Sequence, residues 1–189
     1  MPPIVSVFGG SAPRPGTPPY EAARTLGAAL ARAGWTVATG GYSGVMEAAS
    51  RGAAEAGGHV IGVTCGLIED WKGLRANAWV KEEIRFPTLR ERLSHLVEFC
   101  DAAVAMPGGI GTLSEVALTW SLLQTGEIKR KPLVVVGRVW SETVSTFLRE
   151  SDGYLHEGDV ELIHVARDIK EVVQKISDQS SKYRSCLHV

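Results

Sequence analysis

The segment AAVAMPGGIGTLSE, residues 102–115, joins a short apolar run to a glycine-rich turn and then to a stretch of helical period. The run at Ala102–Met106 has the length of a buried strand, and apolar side chains recur at helical spacing from Thr112 to Thr125. A strand that passes through a tight turn into a helix is the repeating unit of parallel α/β sheets. The segment therefore predicts one βα unit, with its turn at the carboxyl end of the strand.

The same alternation of apolar runs and helical segments extends over nearly the whole chain. It predicts a Rossmann-like, doubly wound α/β fold with a mostly parallel sheet of about seven strands flanked by helices. One such domain would occupy residues 1–177, and the polar, aperiodic residues 178–189 are expected to form a flexible C-terminal tail. The segment Thr64–Trp79 has no clear period, and we expect a long loop or a short helix there, over one end of the sheet.

The boundaries of the predicted elements follow from the apolar runs and the helical periods. The predicted strands are Ile4–Phe8, Thr36–Thr39, His59–Val63, Glu82–Phe86, Ala102–Met106, Leu133–Val136 and Leu162–Val165. The predicted helices are Pro19–Ala33, Gly44–Ala56, Thr88–Phe99, Thr112–Thr125, Trp140–Glu150 and Asp168–Ser177.

The composition is that of an ordinary globular protein, with 44% hydrophobic and 22% charged residues in a chain of 189. Its 20 basic and 21 acidic residues leave a net charge of −1, so long-range electrostatics favours neither nucleic acid nor an anionic membrane as a partner. The opening MPPIVSVFGGS has neither the basic residues nor the apolar length of a signal peptide, and the three cysteines lack metal-ligand spacing. We therefore expect a cytoplasmic protein without a metal.

Three of the predicted strands end in glycine-rich turns, and a parallel sheet brings all three to one edge. Glycine lets the backbone approach a ligand closely, and the helix after each turn presents unpaired N–H groups that favour an anion. The pattern therefore favours a phosphate, although glycines can also serve only to shape tight turns. A Walker lysine and a GxGxxG pattern are both missing, which argues against standard ATP hydrolysis and dinucleotide redox chemistry. The turns are Gly9–Ser11, Thr39–Gly44 and Pro107–Thr112.

Glu115 is the acidic residue with the clearest candidate role. The helical period places Glu115 on the face opposite the apolar residues, in the first turn of its predicted helix. Spacing leaves two interpretations open. Glu115 closes a capping box that begins at Thr112 and satisfies the N-cap amide, or it is a catalytic acid at the crevice. The residues predicted to face inward are Leu113, Val116, Ala117, Trp120 and Gln124.

Arg90 and Arg92 flank the apolar stripe of the predicted helix Thr88–Phe99. Arginines at such positions are usually solvated. These two, however, follow the carboxyl end of a predicted strand, where a guanidinium group beside the crevice could bind a carboxylate or a phosphate. The stripe itself consists of Leu89, Leu93, Leu96, Val97 and Cys100.

The run PGGIGTLSE at residues 107–115 resembles the PGGxGTxxE signature of the LONELY GUY family, whose members hydrolyse cytokinin riboside 5′-monophosphates. The resemblance extends over nearly the whole chain. It includes VFGGS at 7–11, GGYSGVMEAASRGAAEAGG at 40–58, HVIGV at 59–63 and TWSLLQTGEIKRKPLVVV at 119–136.

This resemblance implies hydrolysis of the N-glycosidic bond of a nucleoside 5′-monophosphate, such as a cytokinin riboside monophosphate or AMP, to free base and ribose 5-phosphate. It implies catalytic roles for Arg92 and Glu115, no cofactor, and a homodimer. The same carry-over places the 5′-phosphate at Gly108, Gly109, Gly111 and Thr112, with Ser11, Gly40, Gly41 and Gly44 completing the pocket.

The sequence also departs from the family pattern. The family's second motif usually reads like MHxRKxxM, whereas LRERLSHL at 89–96 keeps the arginine and has Leu93 in place of the lysine. Glu47 stands where many members have glycine, and adds a carboxylate near the predicted anion pocket. An alternative function is therefore a non-catalytic carrier of a phosphorylated cofactor or nucleotide, similar to molybdenum-cofactor carriers. Lysine decarboxylation through pyridoxal phosphate is rejected, because no lysine lies in the three turns.

Overall fold

A parallel sheet forms the centre of the molecule. The computed structural model describes residues 2–151 and 153–185. Its strands are β1 (Ile4–Phe8), β2 (Thr36–Thr39), β3 (Val60–Cys65), β4 (Glu82–Phe86), β5 (Ala102–Ala105), β6 (Leu133–Val136) and β7 (His164–Ala166). In the described part of the chain these seven strands pair in the order β4-β3-β2-β1-β5-β6-β7, and every pair is parallel. This topology confirms the predicted doubly wound α/β fold.

Helices cover both faces of the sheet. They are α1 (Pro18–Arg32), α2 (Val45–Glu55), α3 (Gly66–Lys72), α4 (Leu89–Glu98), α5 (Ile110–Thr125), α6 (Arg138–Glu150), α7 (Glu157–Val160) and α8 (Ile169–Ser185). One apolar cluster joins α1, α2 and α8 to the sheet, and a second joins α4, α5 and α6 to the opposite face. The central strands β1, β2 and β5 are buried along almost their whole length because both of their faces are covered.

The C-terminal helix differs from its prediction. Helix α8 continues to Ser185, past the predicted end at residue 177, so the first part of the predicted tail is helical. The residues after 177 are polar but contain no glycine or proline to stop a helix, and Gln174 donates to Asp178 one turn later at 3.5 Å. Polarity alone was therefore a poor indicator of a helix end. The predicted tail residues 186–189 lie outside the described residues.

Two short helices complete the fold. Of the two structures expected for Thr64–Trp79, the short helix is present as α3. Helix α7 was not predicted, since its four residues are too few to show a period. The last strand was predicted at Leu162–Val165 and lies slightly later, with Leu162 and Ile163 buried just before it.

The point where the winding of the sheet reverses lies between β1 and β5. Strand β1 pairs with β2 on one side and with β5 on the other. In open α/β sheets, ligands bind in the crevice at the carboxyl ends of the strands at this point. The glycine-rich turns Gly9–Ser11 and Pro107–Thr112 come directly after these two strands, so the fold places them at the crevice.

Candidate active site

The three glycine-rich turns are joined by hydrogen bonds. The Gly10 N–H donates to the Pro107 carbonyl at 3.1 Å, and the Gly10 carbonyl accepts from the Val45 N–H at 2.9 Å. The Ser43 hydroxyl donates to the Ser11 carbonyl at 3.2 Å. The turn after β1 therefore bridges the other two, and the predicted convergence of the turns at one edge is present in the structure.

The turn after β5 leads into the open N-terminus of α5. Gly109 is the N-cap residue and provides no side-chain cap, and Ile110 is 79% exposed. Among the described residues, no hydrogen bond uses the N–H groups of Ile110, Gly111 or Thr112. A Cβ added to Gly109 or Gly111 would meet no atom within 4 Å, so packing does not require glycine at either position. Unpaired amides at the start of a sixteen-residue helix form an environment suited to an anion.

The turn after β2, by contrast, is closed by its own packing. Gly41 and Gly44 have φ angles of +81° and +72°, a region that other residues rarely adopt. The Gly41 N–H donates to Thr39 Oγ1 at 3.1 Å, and Asn77 donates from its backbone and from Nδ2 to the Gly41 carbonyl. A Cβ on Gly40 would overlap the guanidinium of Arg92. The fold itself requires these three glycines.

Arg92 projects from α4 to the inner side of this closed turn, and only 6% of it is exposed. Its Nε donates to the Val63 carbonyl at 2.7 Å and its Nη2 donates to the Gly40 carbonyl at 3.1 Å. The guanidinium carbon lies 5.7 Å from the centre of the Tyr42 ring. Hydrogen bonds within the described part of the chain occupy two of the five N–H donors, so three are left for a ligand.

The two arginines of α4 differ in their environment. Arg90 is exposed, as helix-flank arginines usually are, whereas Arg92 is buried. The predicted apolar stripe of this helix was wrong at its first member, since Leu89 is 51% exposed. Leu89 opens the helix after the Thr88 N-cap, before the helix reaches the sheet. The buried positions Arg92 and Leu96 then occur at a spacing of one turn.

Glu115 is buried, and the predicted orientation of α5 was wrong. The helix begins at Ile110 with Gly109 as its N-cap, which places Glu115 in the second turn and excludes the capping box. Leu113 is 46% exposed instead of facing inward. The apolar residues of this helix occur on all of its faces, so their spacing does not single out one face for burial. The buried residues of α5 are Thr112, Glu115, Val116, Thr119 and Leu123.

The carboxyl group of Glu115 has an unusual proton affinity. Burial raises its pKa to about 7, and the positive charge of Arg92 opposes part of that rise. Arg92 acts on it through its charge, since the hydrogen bonds of Arg92 within the described residues go to backbone carbonyls. A carboxyl group that is partly ionised near neutral pH can accept a proton, release one, or stabilise a neighbouring positive charge.

Several residues that shape this site were not predicted from the sequence. Tyr42 packs against Arg92, and its hydroxyl accepts from the Cys65 N–H at 2.7 Å and donates to the Cys65 carbonyl at 3.1 Å. Asn77 closes the same turn by donating to the Tyr42 carbonyl at 3.0 Å. An aromatic residue between turn glycines and an asparagine in an aperiodic segment were the available signals.

Glu47 is held on the α1 side of α2. Its Oε1 accepts a hydrogen bond from the hydroxyl of Tyr20 at 3.2 Å, and the Tyr20 side chain is fully buried. The structure thus gives this carboxylate a partner in the packing between the two helices. In the described residues there is also no group of three or more His, Cys, Asp or Glu side chains that could hold a metal ion. Nor does any helix in the described ranges have the length and apolar character needed to cross a membrane.

Comparison with known proteins identifies relatives over most of the chain. A family model described as "Possible lysine decarboxylase" matches residues 46–176. Cytokinin riboside 5′-monophosphate phosphoribohydrolase LOG5 of Arabidopsis thaliana is 30% identical over 72% of this chain and 60% of its own length. Cytokinin riboside 5′-monophosphate phosphoribohydrolase LOG of Oryza sativa subsp. japonica is 31% identical over 95% of this chain and 74% of its own length.

A solved structure is similar over a comparable range. The molybdenum cofactor carrier protein of Chlamydomonas reinhardtii shares 30% identity, with a TM-score of 0.71 over 94% of this chain and 98% of its own. The family model covers more than half of the chain, and the rice protein exceeds 30% identity over nearly all of it. The chain therefore belongs to the LONELY GUY family, whose family model carries the lysine decarboxylase description.

Proposed function

We propose that this protein hydrolyses the N-glycosidic bond of a nucleoside 5′-monophosphate, a cytokinin riboside monophosphate or AMP, to free base and ribose 5-phosphate. The names of the relatives support this reaction class. The observation that carries the proposal is the pairing of a buried carboxyl group, Glu115, whose pKa burial raises to about 7, with the buried cation of Arg92 at the ligand edge of the sheet. Groups with such shifted proton affinity are concentrated at catalytic sites.

The 5′-phosphate would bind at the start of α5. The unpaired amides of Ile110, Gly111 and Thr112 would donate to its oxygens, and the turn glycines Gly108 and Gly109 would let the backbone approach it closely. The adjoining wall of the pocket would be lined by the remaining predicted residues, which are Ser11, Gly40, Gly41 and Gly44. Because the phosphate is remote from the bond that breaks, its binding would fix the sugar relative to Glu115.

Cleavage of an N-glycosidic bond develops positive charge on the sugar, so an ionised Glu115 beside the ribose would stabilise the transition state. Water would attack C1′ as the C1′–N bond breaks, and the bonding electrons would leave with the base. Glu115 could take the proton of the attacking water and deliver it, directly or through a water molecule, to the nitrogen of the departing base, since a group with a pKa near neutrality is suited to both transfers. Arg92 would use its remaining donors to orient Glu115 and the departing nucleotide.

The proposal also covers cofactors, assembly and location. Water is the second substrate of this hydrolysis, so the proposed reaction uses neither a metal nor an organic cofactor. We also include a homodimer, which the family resemblance suggests, and a cytoplasmic location.

A carrier of a phosphorylated cofactor is the second candidate. The similarity to the molybdenum cofactor carrier of Chlamydomonas, together with Leu93 in place of the family lysine, supports it. The same open amides would bind the phosphate of the cargo. A carrier, however, has no use for an acid with a raised pKa in its crevice, and for this reason we favour the hydrolase.

The deciding experiment incubates the purified protein with AMP and with isopentenyladenosine 5′-monophosphate, and measures free base and ribose 5-phosphate. We expect both products in equal amounts, and a fall in turnover of about a thousandfold or more in Glu115→Gln. Glu127→Gln, at an exposed position further along the chain, should retain full activity. A wild-type protein that forms neither product across a panel of monophosphates, and that copurifies with an intact phosphorylated ligand, is instead a carrier.

A further inference from the structure

Trp140 connects helix α6 to the turn after β5. The indole Nε1–H donates to the carbonyl of Met106 at 2.9 Å, and both residues are 5% exposed. Met106 stands immediately before the glycine-rich turn that begins at Pro107. The chain therefore uses a residue 34 positions away to hold the carbonyl from which this turn starts.

The same turn is held from its other side by β1. The Met106 N–H donates to the Phe8 carbonyl at 2.9 Å, and the Pro107 carbonyl accepts from the Gly10 N–H at 3.1 Å. Gly137, the N-cap residue of α6, lies beside the same turn, since a Cβ added to it would be 3.0 Å from Cγ of Pro107. Three hydrogen bonds thus fix the backbone at 106–107, and only the one from Trp140 comes from a side chain.

Residues 107–109 connect this backbone to the open start of the helix. A shift of the peptide at 106–107 would therefore pass through the turn to the unpaired amides of Ile110, Gly111 and Thr112. These amides hold a phosphate well only when they converge on it without further ordering. A buried carbonyl that loses its donor tends to turn toward another partner, since an unsatisfied polar group is costly. Loss of the indole N–H would therefore disturb the turn at its origin.

We propose that Trp140 is a positioning residue for phosphate binding, acting through the Met106 carbonyl. This inference rests on the proposed function in placing the phosphate at the start of α5. Trp140 does not touch the ligand, and its indole N–H keeps the anion-binding amides in the arrangement that a phosphate needs. It belongs to the phosphate end of the site and leaves Glu115 and Arg92 undisturbed.

The chain offers a matched control for this role. Trp120 also donates its indole Nε1–H to a backbone carbonyl, that of Asp159 at 2.8 Å, and lies more than one turn beyond Glu115 on α5. Substitution by phenylalanine removes one N–H donor and a similar volume at either position. The two variants therefore differ in which carbonyl loses its partner.

The experiment measures kcat and KM for AMP, and the binding of ribose 5-phosphate by calorimetry, in wild type, Trp140→Phe and Trp120→Phe. For Trp140→Phe we expect KM and the ribose 5-phosphate Kd to rise roughly fivefold, with kcat changed less than about twofold, because uniform binding is lost. The pH profile should keep its acidic limb, since the Glu115–Arg92 pair is unchanged. Trp120→Phe should match wild type in all of these quantities.

The outcomes separate this inference from the function on which it rests. An active wild type in which Trp140→Phe and Trp120→Phe share the same KM and Kd overturns the role of Trp140. An inactive wild type whose Kd for ribose 5-phosphate still rises in Trp140→Phe overturns the hydrolase and retains the positioning role. A wild type that neither cleaves AMP nor binds ribose 5-phosphate overturns both. If Trp140→Phe does not fold, benzothienylalanine incorporated at position 140 replaces the indole N–H by sulfur at nearly the same shape, and the same rise in KM and Kd is expected.

Discussion

The turns after β2 and β5 are both rich in glycine and lie at the same edge of the sheet, but they use glycine for different reasons. In Gly40–Gly44 the glycines meet positive φ angles and close packing, and the polar groups of the turn are bonded within the protein. In Pro107–Thr112, a Cβ added to two of the three glycines would meet no atom within 4 Å, and the amides at the start of α5 are unpaired. The first turn therefore uses its glycines as structural support, whereas the second combines open space with unpaired amides, the combination that suits an anionic ligand.

Each of the two turns also contacts or precedes the element that carries one of the two charged residues, Arg92 and Glu115. The closed turn holds Arg92 through the Gly40 carbonyl, and the open turn leads into the helix that carries Glu115. The closed turn thus supports Arg92, and the open turn precedes the helix that carries Glu115. This division of roles can be tested by changing one side at a time.

The largest expected effect is on how the free energy of unfolding depends on pH, through the buried carboxyl group of Glu115. Burial raises the pKa of Glu115 from its usual 4.5 to about 7, so the folded protein retains a proton that the unfolded chain releases between these values. The resulting stabilisation is complete below about pH 4.5 and is lost as the pH rises to about 7. Glu115→Gln has no such dependence, so between pH 4 and pH 8 its free energy of unfolding should gain about 3 kcal/mol relative to wild type. Urea unfolding at several pH values measures this difference.

The exposed Glu127→Gln is the control for that series and should match wild type at every pH. If Glu115→Gln also runs parallel to wild type between pH 4 and pH 8, the carboxyl group titrates as it does in solvent. In that case Glu115, on the helix that follows the open turn, is not desolvated. The open and closed turns would then not differ in the way proposed here for the charged groups near them.

The second prediction tests whether the closed turn is a support. A Cβ at Gly40 would overlap Arg92 Nη2 and lie 2.6 Å from Met46 Sδ, so Gly40→Ala must displace buried groups. Overpacking of this kind costs about 1–3 kcal/mol, which corresponds to a Tm lower by roughly 3 °C per kcal/mol. Thermal unfolding by circular dichroism measures the change. A Tm equal to that of wild type would show that the turn yields easily and that Arg92 is not held by it.

The packing around Gly40 is a feature that could not be predicted from the sequence, in contrast to the fold class. The alternation of apolar runs and helices determined the fold class, because the period of burial is a local property. The meeting of three turns could be deduced from the rule that parallel strands share one carboxyl edge. Which glycines are required by packing could not be predicted, since the side chain closest to a Cβ at Gly40 is that of Arg92, 52 residues later.

The orientation of α5 could not be predicted for a related reason. Apolar residues surround that helix, so periodicity assigned Leu113 to the core and Glu115 to the other face, and both assignments were wrong. Only the position of the N-cap at Gly109 and the packing of α5 on the sheet determine which face is buried. Glu115 was recognised through its family signature, and its burial became apparent from the structure.

The third prediction tests whether the two sides interact electrostatically. The positive charge of Arg92 lowers the pKa of Glu115 against the effect of burial, so Arg92→Met should raise that pKa above about 7, by about one unit. The acidic limb of kcat/KM, or the carboxyl signal of Glu115 in carbon NMR, would move to higher pH. Arg90→Met removes an exposed arginine from the same helix and should leave the limb in place. An unshifted limb in Arg92→Met would mean that the charge of Arg92 does not affect the Glu115 carboxyl group.

The smallest expected effect on stability comes from the open turn. Gly109 has φ −99° and ψ −153°, which alanine adopts without strain, and an added Cβ meets no atom within 4 Å. Alanine is the poorer N-cap residue but reduces the entropy of the unfolded chain, so Gly109→Ala should keep the free energy of unfolding within about 0.5 kcal/mol. The methyl group would still stand before the amides that we assign to the phosphate, and the Kd for ribose 5-phosphate should rise roughly fivefold. Gly158→Ala, at another glycine with open space, should change neither quantity. A Gly109→Ala protein with wild-type affinity would place the phosphate elsewhere and leave the open turn without the role that distinguishes it from the closed one.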